Sequence, residues 1–341
     1  MARTTMDKGA HCRTGCRGLL SLSLWSWVVE VCVLQSLLQH TEAFIVFPST
    51  GRRNFQCKAS AESSSTFSTK SLLGREEAQS VINNVLMPQD LYGDRIGLGR
   101  DAQGIEAGTA LDPNDPRLAM TYAEFPLTSL DQLIDLGLEH MPSKSQAASR
   151  PTTCMIDLGS GCGRIGLYLA MTRRGGNPDD SSSSSSSKAW NLHGIEISDI
   201  LHHEALGYCQ KAVEHDLIYP SFSSASTTTT NTMSSEEETN NTLSLHLGPA
   251  DNFGNLLSEA DCIFAYSTVF SAKVFSPELR ALMLGPEWSQ MLGKFCKDGC
   301  VAITTDRALD PTYGWQLVDR LDVENREVFG TTGYVHILKK Q

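Results

Sequence analysis

The stretch that decides the fold is Cys154–Arg164, with the sequence Cys-Met-Ile-Asp-Leu-Gly-Ser-Gly-Cys-Gly-Arg. An apolar run typical of a buried strand passes into three alternating glycines and then into a predicted helix. Glycines at this spacing allow a tight turn and let the backbone approach a ligand without interference from Cβ atoms. The stretch therefore predicts a strand, a ligand-binding loop and a helix.

Strand and helix patterns alternate after Pro151. The predicted strands are Cys154–Leu158, Trp190–Glu196, Leu243–Leu247, Asp261–Tyr266 and Val301–Thr305, and the predicted helices are Arg164–Thr172, Asp199–His215 and Pro277–Phe295. This alternation predicts an α/β domain over residues 151–341, with a parallel sheet covered by helices on both faces. At its end, Trp315–Phe329 and Gly333–Lys339 predict an antiparallel hairpin.

The segment 72–150 is predicted to be an amino-terminal helical preface with a loop that covers the cofactor. It contains a predicted helix at Arg75–Leu86, a glycine-rich loop over Gly93–Gly108 and a second helix near Ser129–Leu138.

Two inserts rich in serine and threonine, 175–188 and 221–241, interrupt the alternation. Low hydrophobicity predicts that both are disordered. Each follows a predicted helix and precedes a strand, which places it at the amino-terminal edge of a parallel sheet. Ligands bind at the opposite edge, so we expect the inserts to lie away from the chemistry.

Charge is distributed unevenly along the 341 residues. Residues 1–71 hold 8 Lys and Arg against 4 Asp and Glu, and the rest of the chain holds 20 against 35. An acidic body gains nothing from counterion release on a phosphate backbone, which argues against DNA as a partner. The ten cysteines show no C-x-x-C pair or Cys/His ligand spacing, so we expect buried free thiols and no metal site.

The first 71 residues resemble a targeting sequence in two parts. Basic residues precede an apolar run from Leu19 to Leu38, which predicts a signal-peptide-like segment over 1–43. From Phe44 the segment 44–71 is rich in Ser, Thr and Arg, as transit peptides are. This order resembles the bipartite presequences of algae with complex plastids and predicts plastid import, with no stable membrane anchor after processing. Secretion or a membrane anchor through the apolar run are the alternatives.

Several polar residues follow the predicted strands at the edge where a cofactor would bind. Asp157 precedes the first glycine and can attract the amine of an amino-acid end, whereas it would repel a pyrophosphate. Glu196 can accept hydrogen bonds from ribose hydroxyls, Asp251 can accept from an adenine amino group, and Phe253 can flank the adenine ring. We therefore expect S-adenosylmethionine as the cofactor, bound also by Gly159, Ser160, Gly161 and Gly163.

Glycine spacing alone leaves a second cofactor open. Gly161-x-Gly163-x-x-Gly166 also fits the dinucleotide fingerprint, and NAD enzymes share the acidic residue at the position of Glu196. An NAD-linked oxidoreductase is therefore one alternative. A binding module that keeps the fold without catalysis is another.

The glycine motif and the hairpin resemble class I methyltransferases, which implies a Rossmann-like sheet with a carboxyl-terminal antiparallel hairpin. In the order of motifs the chain is most similar to the disruptor-of-telomeric-silencing family of non-SET histone lysine methyltransferases. The matching segments are Thr121–Pro126, Asp131–Asp135, Asp157–Gly163, Gly194–Glu196 and Ile263–Phe270. The resemblance implies that Tyr122 and Glu124 cover the cofactor.

The acceptor end departs from that family. Where the family has Asn-Asn-Phe-Ala-Phe, this chain has Tyr266-Ser267-Thr268-Val269-Phe270. Tyr266 and Ser267 are the candidate catalytic residues, with Tyr266 orienting an unprotonated amine and Phe270 and Tyr122 forming walls. The identity of the acceptor stays open. A protein lysine is preferred over another protein side chain, a small metabolite and RNA, in that order.

Overall fold

The computed structural model describes residues 64–105, 121–141, 152–172, 189–221, 240–270 and 272–340. All of them belong to one compact unit, Ser60–Gln341. The signal-peptide-like segment 1–43 and the insert 175–188 lie outside the described residues. So do residues 44–63 of the transit-peptide-like segment and residues 222–239 of the second insert.

Twelve strands occur within the described residues. They are β1 (Ser64–Thr69), β2 (Thr152–Leu158), β3 (Ala189–Glu196), β4 (Ile218–Pro220), β5 (Thr242–Leu247), β6 (Cys262–Ala265), β7 (Ala272–Ser276), β8 (Ala281–Leu284), β9 (Val301–Thr305), β10 (Arg307–Ala308), β11 (Trp315–Val323) and β12 (Thr331–Leu338). Nine of these form one sheet in the order β11-β12-β9-β6-β2-β3-β5-β1-β4, and the other three form a small sheet in the order β10-β8-β7.

The centre of the large sheet is parallel. Neighbouring pairs among β5, β3, β2, β6 and β9 all run in the same direction. β12 is antiparallel both to β9 and to β11, so the last strand of the hairpin is inserted between them. This arrangement confirms the prediction of a Rossmann-like α/β sheet with a carboxyl-terminal antiparallel hairpin.

Helices cover both faces of this sheet. They are α1 (Arg75–Val81), α2 (Tyr92–Ala102), α3 (Leu127–Glu139), α4 (Arg164–Met171), α5 (Asp199–Glu214), α6 (Gly254–Glu259) and α7 (Pro286–Phe295). Successive residues of a strand point to opposite faces, and accordingly Met155 and Ile156 belong to two different buried hydrophobic clusters. The predicted helix Arg75–Leu86 is confirmed, because a π-helical turn, Ile82–Leu86, continues α1.

The prediction of a glycine-rich loop over Gly93–Gly108 is wrong for its first half, which is helix α2. Tertiary contacts override the weak helix propensity of glycine here. The Arg95 side chain is buried and paired with Glu124. Gly99 lies so close to Tyr122 that a Cβ atom would come within 2.4 Å of the tyrosine Cβ. The glycine is therefore needed for contact between this helix and the covering segment.

The helix predicted over Pro277–Phe295 begins only at Pro286. Residues Ala281–Leu284 instead form strand β8, which pairs with β7 and β10. A proline in the first helical turn lacks an N–H that would be unpaired there in any case, so Pro286 is a favourable start.

The sheet begins before the predicted domain boundary at residue 72. β1 pairs in antiparallel fashion with β5 and with β4, so Ser64–Thr69 belong to the folded domain rather than to the predicted transit-peptide-like segment. Asn241, predicted as the last residue of a disordered insert, is buried. Its side chain binds the carbonyls of Ala170 and Thr172 and the amide of Trp190.

The described residues were also compared with the requirements of disulfides, metal sites and membrane-spanning helices. Their six cysteines are all free and buried. In these ranges no group of three or more His, Cys, Asp or Glu side chains could hold a metal ion. A search of the same residues for a long apolar helix that could cross a membrane finds none.

Candidate functional site

A cavity of about 530 Å³ opens at the carboxyl-terminal ends of β2, β3, β5 and β6. After β2, the strands β3 and β5 are added on one side of it, and the later strands β6 and β9 are added on its other side. A ligand crevice is expected where the strand order reverses in this way. The volume lies within the range of small-molecule sites, roughly 300–1,000 Å³. Predicted site residues that line it are Tyr122, Glu124, Gly159, Ser160, Gly161, Glu196, Asp251 and Tyr266.

The floor of the cavity is the glycine loop after β2. Gly159, Gly161 and Gly163 all have positive φ angles, of 72°, 53° and 74°. Other residues adopt this conformation at a cost. A Cβ atom on Gly161 would approach the Tyr122 ring to 2.8 Å. The loop is therefore a cradle whose open space depends on the absence of side chains.

Glu196 fixes this loop to the end of β3. Its two carboxylate oxygens accept hydrogen bonds from the amides of Gly161 and Ser198, each at 2.8 Å. Burial raises the pKa of Glu196, and the same two backbone amides counter that shift. Each carboxylate oxygen has a second lone pair, so Glu196 can still accept a hydrogen bond from a ligand hydroxyl in the cavity.

Asp157 lies beneath the loop on β2, and the cavity surface does not include it. It is buried, and its Oδ2 atom has no hydrogen-bond partner among the described residues. Burial, with a smaller contribution from the charge of Glu196, raises the pKa of Asp157 to about 7. A buried carboxyl group without a partner is costly. A cationic ligand group close to it would remove that cost.

The segment 121–126 lines the cavity and packs on the glycine loop through Tyr122. Arg95 donates two hydrogen bonds to Glu124, and Tyr122 donates one at 2.8 Å. Arg164, at the start of α4, donates to the Phe125 carbonyl at 2.7 Å and lies 3.4 Å from Glu124. Glu124 is thus the centre of a buried ion-pair network that holds the Tyr122 ring over Gly161.

At the other end of the cavity, Asp251 lies in a short 3₁₀ turn after β5, and its side chain is exposed. Phe253 does not line the cavity, contrary to the expectation that it flanks a ring there. Its ring packs on His246, with 5.4 Å between the centroids. Ile197, which is 57% exposed, lines the cavity beside Glu196 and offers an apolar contact there instead.

Aromatic side chains line the part of the cavity that follows β6. Tyr266 packs on Phe125 with 5.0 Å between ring centroids, and Phe270 stacks on Trp288 at 4.7 Å. Burial raises the pKa of Tyr266 to about 12, so its hydroxyl stays protonated at neutral pH. Tyr266 and Phe270 both line the cavity.

Ser267, the other candidate catalytic residue, is not part of the cavity. It is fully buried, and its hydroxyl donates to the Thr305 carbonyl at 2.8 Å. Its backbone amide donates to the Thr305 hydroxyl at 2.9 Å. Through these hydrogen bonds, Ser267 connects the end of β6 to the end of β9.

Some cavity residues were missed from the sequence. Trp288 and Met291 reach the cavity from α7, and Arg164 from the start of α4. An apolar residue directly after the acidic end of a strand, such as Ile197, is a usable signal. For Trp288 the sequence offers none, because a tryptophan on an amphipathic helix is ordinarily a packing residue.

The residues present fit S-adenosylmethionine. The glycine cradle would lie along its amino-acid part, the carboxyl group of Asp157 would attract its ammonium group from beneath the loop, and Glu196 and Asp251 would accept from its adenosine hydroxyls and amine. A dinucleotide fits less well, because its pyrophosphate would lie close to the buried carboxyl group of Asp157.

Neither a known family model nor a curated protein sequence matches this chain. The resemblance to the disruptor-of-telomeric-silencing family therefore stays a prediction.

Solved structures give weak matches. An RNA methyltransferase from Salinibacter ruber in complex with S-adenosyl-L-homocysteine is 18% identical, with a TM-score of 0.36, over 64% of this chain and 96% of that one. TrmN from Thermus thermophilus is 14% identical, with a TM-score of 0.35, over 66% and 52%. An O-methyltransferase from Bacillus cereus, also with S-adenosylhomocysteine, is 11% identical, with a TM-score of 0.34, over 77% and 97%. Similarities this weak do not establish an activity for this chain.

Proposed function

We propose that the chain is an S-adenosylmethionine-dependent methyltransferase. The observation that carries the proposal is the buried Oδ2 atom of Asp157, which has no hydrogen-bond partner among the described residues, next to a loop of three glycines with positive φ. An ammonium group is the ligand chemistry that this carboxyl group lacks, and S-adenosylmethionine carries one at its amino-acid end. Charge-assisted hydrogen bonds of this kind contribute about 1.5–3 kcal/mol each.

Bound S-adenosylmethionine would supply an activated methyl group, so the protein has mainly to align donor and acceptor. Alignment can lower the barrier by several kcal/mol without covalent catalysis. The network around Glu124 holds the Tyr122 ring over the loop. Glu196 fixes the loop itself.

For the acceptor we propose an amine, with a protein lysine preferred. An ammonium ion has no lone pair, and a site of low dielectric lowers its pKa and favours the reactive neutral form. Tyr266, Phe125 and Phe270 give the acceptor end this apolar character, and the Tyr266 hydroxyl can orient the amine.

Transfer of a tritiated methyl group tests the proposal. The sequence predicts plastid import, so the acceptors to offer are plastid fractions of protein, small molecules and RNA. We expect the label in the protein fraction, and its loss with Asp157→Ala. Label confined to the RNA fraction would leave the methyltransferase in place and overturn the amine. Binding without transfer to any fraction would favour a non-catalytic binding module.

A further inference from the structure

The hydroxyl group of Tyr266 receives a hydrogen bond from a buried side chain, the amide of Asn325. The Asn325 nitrogen Nδ2 donates to the Tyr266 oxygen at 3.1 Å and to the Thr331 hydroxyl at 2.9 Å. Tyr266 lines the cavity, whereas Asn325 is buried and does not line it. Asn325 lies in the loop between β11 and β12, so no local sequence pattern connects it with the residue that follows β6.

The direction of this hydrogen bond is set by the backbone. A side-chain amide can be turned over so that its nitrogen and oxygen exchange places. The Glu327 amide donates to Asn325 Oδ1 at 3.1 Å, so a reversed side chain would place its NH₂ group against another donor. Asn325 therefore donates to Tyr266 and does not accept from it. The Tyr266 oxygen keeps its own proton, which it must donate to another partner.

The loop that carries Asn325 is fixed by two further hydrogen bonds. The Asn325 carbonyl accepts from the Gly330 amide at 2.9 Å, which closes the loop on itself. The Glu324 carbonyl accepts from the hydroxyl of Ser129, in α3, at 2.5 Å. Buried polar groups whose hydrogen bonds are all made rigidify their surroundings. The Asn325 side chain is therefore a fixed point that holds the Tyr266 hydroxyl.

Two contacts of different kinds act on the Tyr266 side chain. Its ring packs on the buried Phe125, with 5.0 Å between the centroids, and its oxygen accepts from Asn325. Burial raises the pKa of Tyr266 to about 12, and the donation from Asn325 counters that shift because it stabilises negative charge on the oxygen. Asn325 thus fixes the place of the oxygen and also makes its O–H group a better donor.

We propose that Asn325 is a positioning residue that holds the Tyr266 hydroxyl against the methyl acceptor. This inference rests on the proposed function, in which Tyr266 orients the acceptor. Without Asn325 the ring keeps its packing on Phe125, but its oxygen loses the bond that fixes its direction. A misplacement of about 1 Å can lower a rate about 100-fold. The side-chain hydrogen bonds of Asn325 go to Tyr266, Thr331 and the Glu327 amide, so turnover depends on Asn325 and cofactor binding does not.

A double-mutant cycle with Tyr266→Phe tests the proposal in the full chain. The assay is methyl transfer from tritiated S-adenosylmethionine to the plastid protein fraction. Asn325→Ser should lower turnover about tenfold and leave the KM for S-adenosylmethionine within about twofold. The same substitution in the Tyr266→Phe background should change turnover by less than about twofold, because the hydroxyl that Asn325 positions is absent there. Asn325→Asp should act like Asn325→Ser, since a carboxylate cannot donate to Tyr266. Asn325→Ser adds no buried charge and serves where Asn325→Asp does not fold.

A spectroscopic readout needs no acceptor. The chain has eight tyrosines, and a ¹³C label on the ring carbon that bears the hydroxyl gives resonances that respond to hydrogen bonding of the oxygen. Tyr266→Phe identifies the Tyr266 resonance by its absence, and Asn325→Ser should shift it. Thr331→Val is the matched control, because it removes the other hydrogen bond of the same nitrogen and keeps the one to Tyr266. It should leave the resonance in place and turnover within about twofold.

An unmoved Tyr266 resonance or an unchanged turnover in Asn325→Ser would overturn the proposal and leave the cofactor site intact. Equal losses of turnover with and without the Tyr266 hydroxyl would do the same, because Asn325 would then act independently of Tyr266. An equal loss in Thr331→Val would assign the effect to the hairpin as a whole and also overturn it. Failure of the parent to transfer methyl to any fraction would instead overturn the proposed function, and the inference with it.

Discussion

The two edges of the parallel sheet differ in how their buried polar side chains are hydrogen-bonded. At the amino-terminal edge, Asn241 is buried and every polar atom of its side chain is paired, to Ala170, Thr172 and Trp190. At the carboxyl-terminal edge, Asp157 is just as buried, yet its Oδ2 atom has no partner among the described residues. The strands between them are the same strands. The comparison teaches that one edge is built for stability and the other for a ligand.

Backbone strain occurs beside the cavity, although Asp216, between a helix and a strand at the opposite edge, also has a positive φ of 62°. Three glycines with positive φ and the strained Asp306 lie at the carboxyl-terminal edge, where Ile197 is also exposed to the cavity. Unfavourable features of this kind persist where function requires them. Each prediction below is designed to break or to sharpen this contrast between the edges.

Replacing Asp157 with asparagine should have the largest effect, on stability. Since folding raises the pKa of Asp157 to about 7, the folded state binds the proton more tightly and loses stability as pH rises from about 4 to about 7. Above that range Asp157→Asn should raise the free energy of unfolding by up to about 4 kcal/mol, and at pH 4 by almost nothing. Thermal unfolding at both pH values measures this. An equal gain at both would show that charge is not the cause.

Replacing Asn241 with alanine should show the converse at the amino-terminal edge. Loss of its three side-chain hydrogen bonds leaves buried groups unpaired and should lower the free energy of unfolding by about 3 kcal/mol. S-Adenosylmethionine affinity should stay within about twofold. Denaturant titration gives the first quantity and calorimetry the second. Asn191→Ala, which removes a single half-buried bond to Thr242, is the control and should cost about 1 kcal/mol.

Gly161→Ala should weaken S-adenosylmethionine binding by about 30-fold, because strain and the clash with Tyr122 together cost about 2 kcal/mol. Gly207→Ala provides the comparison, since a Cβ atom there meets nothing within 4 Å. If both glycines tolerate alanine equally in a calorimetric titration, the cradle has no role in binding.

The smallest effect should follow from deleting residues 175–188 and 222–239 together. Both segments connect to the sheet at its amino-terminal edge, at Thr172, Ala189 and Asn241. S-Adenosylmethionine affinity should stay within about threefold of the parent, because the cavity lies at the other edge. A loss of affinity of about tenfold or more in the same titration would show that the inserts contribute to the binding site. It would contradict the proposed difference between the two edges.

The glycine motif and the alternation of strands and helices predicted the parallel sheet and the location of the cavity. Such local patterns follow directly from backbone sterics and burial. Helix α2 could not be predicted from its glycine-rich sequence. It depends on tertiary contacts, in which Arg95 pairs with Glu124 and Gly99 packs against Tyr122. Strand β1 could not be predicted for the same reason, because Ser64–Thr69 forms a strand by pairing with β5, which is distant in the sequence.

The site shows the same division between local and distant contacts. Tyr122, Glu196 and Tyr266 were predicted because each follows or covers a recognisable motif. Phe253 and Ser267 were expected at the cavity from their places in the sequence, but packing turns them to His246 and Thr305 instead. Side-chain direction after a strand end depends on neighbours that the local sequence does not reveal.

The central claim is that the carboxyl-terminal edge binds S-adenosylmethionine, and a calorimetric titration of the full chain with S-adenosylmethionine and with NAD tests it most directly. We predict binding of S-adenosylmethionine alone, weakened by about tenfold or more in Glu196→Ala, because that variant loses the carboxylate that accepts from Gly161 and from the ligand. Binding of NAD without S-adenosylmethionine, or an unchanged affinity in Glu196→Ala, would contradict the account.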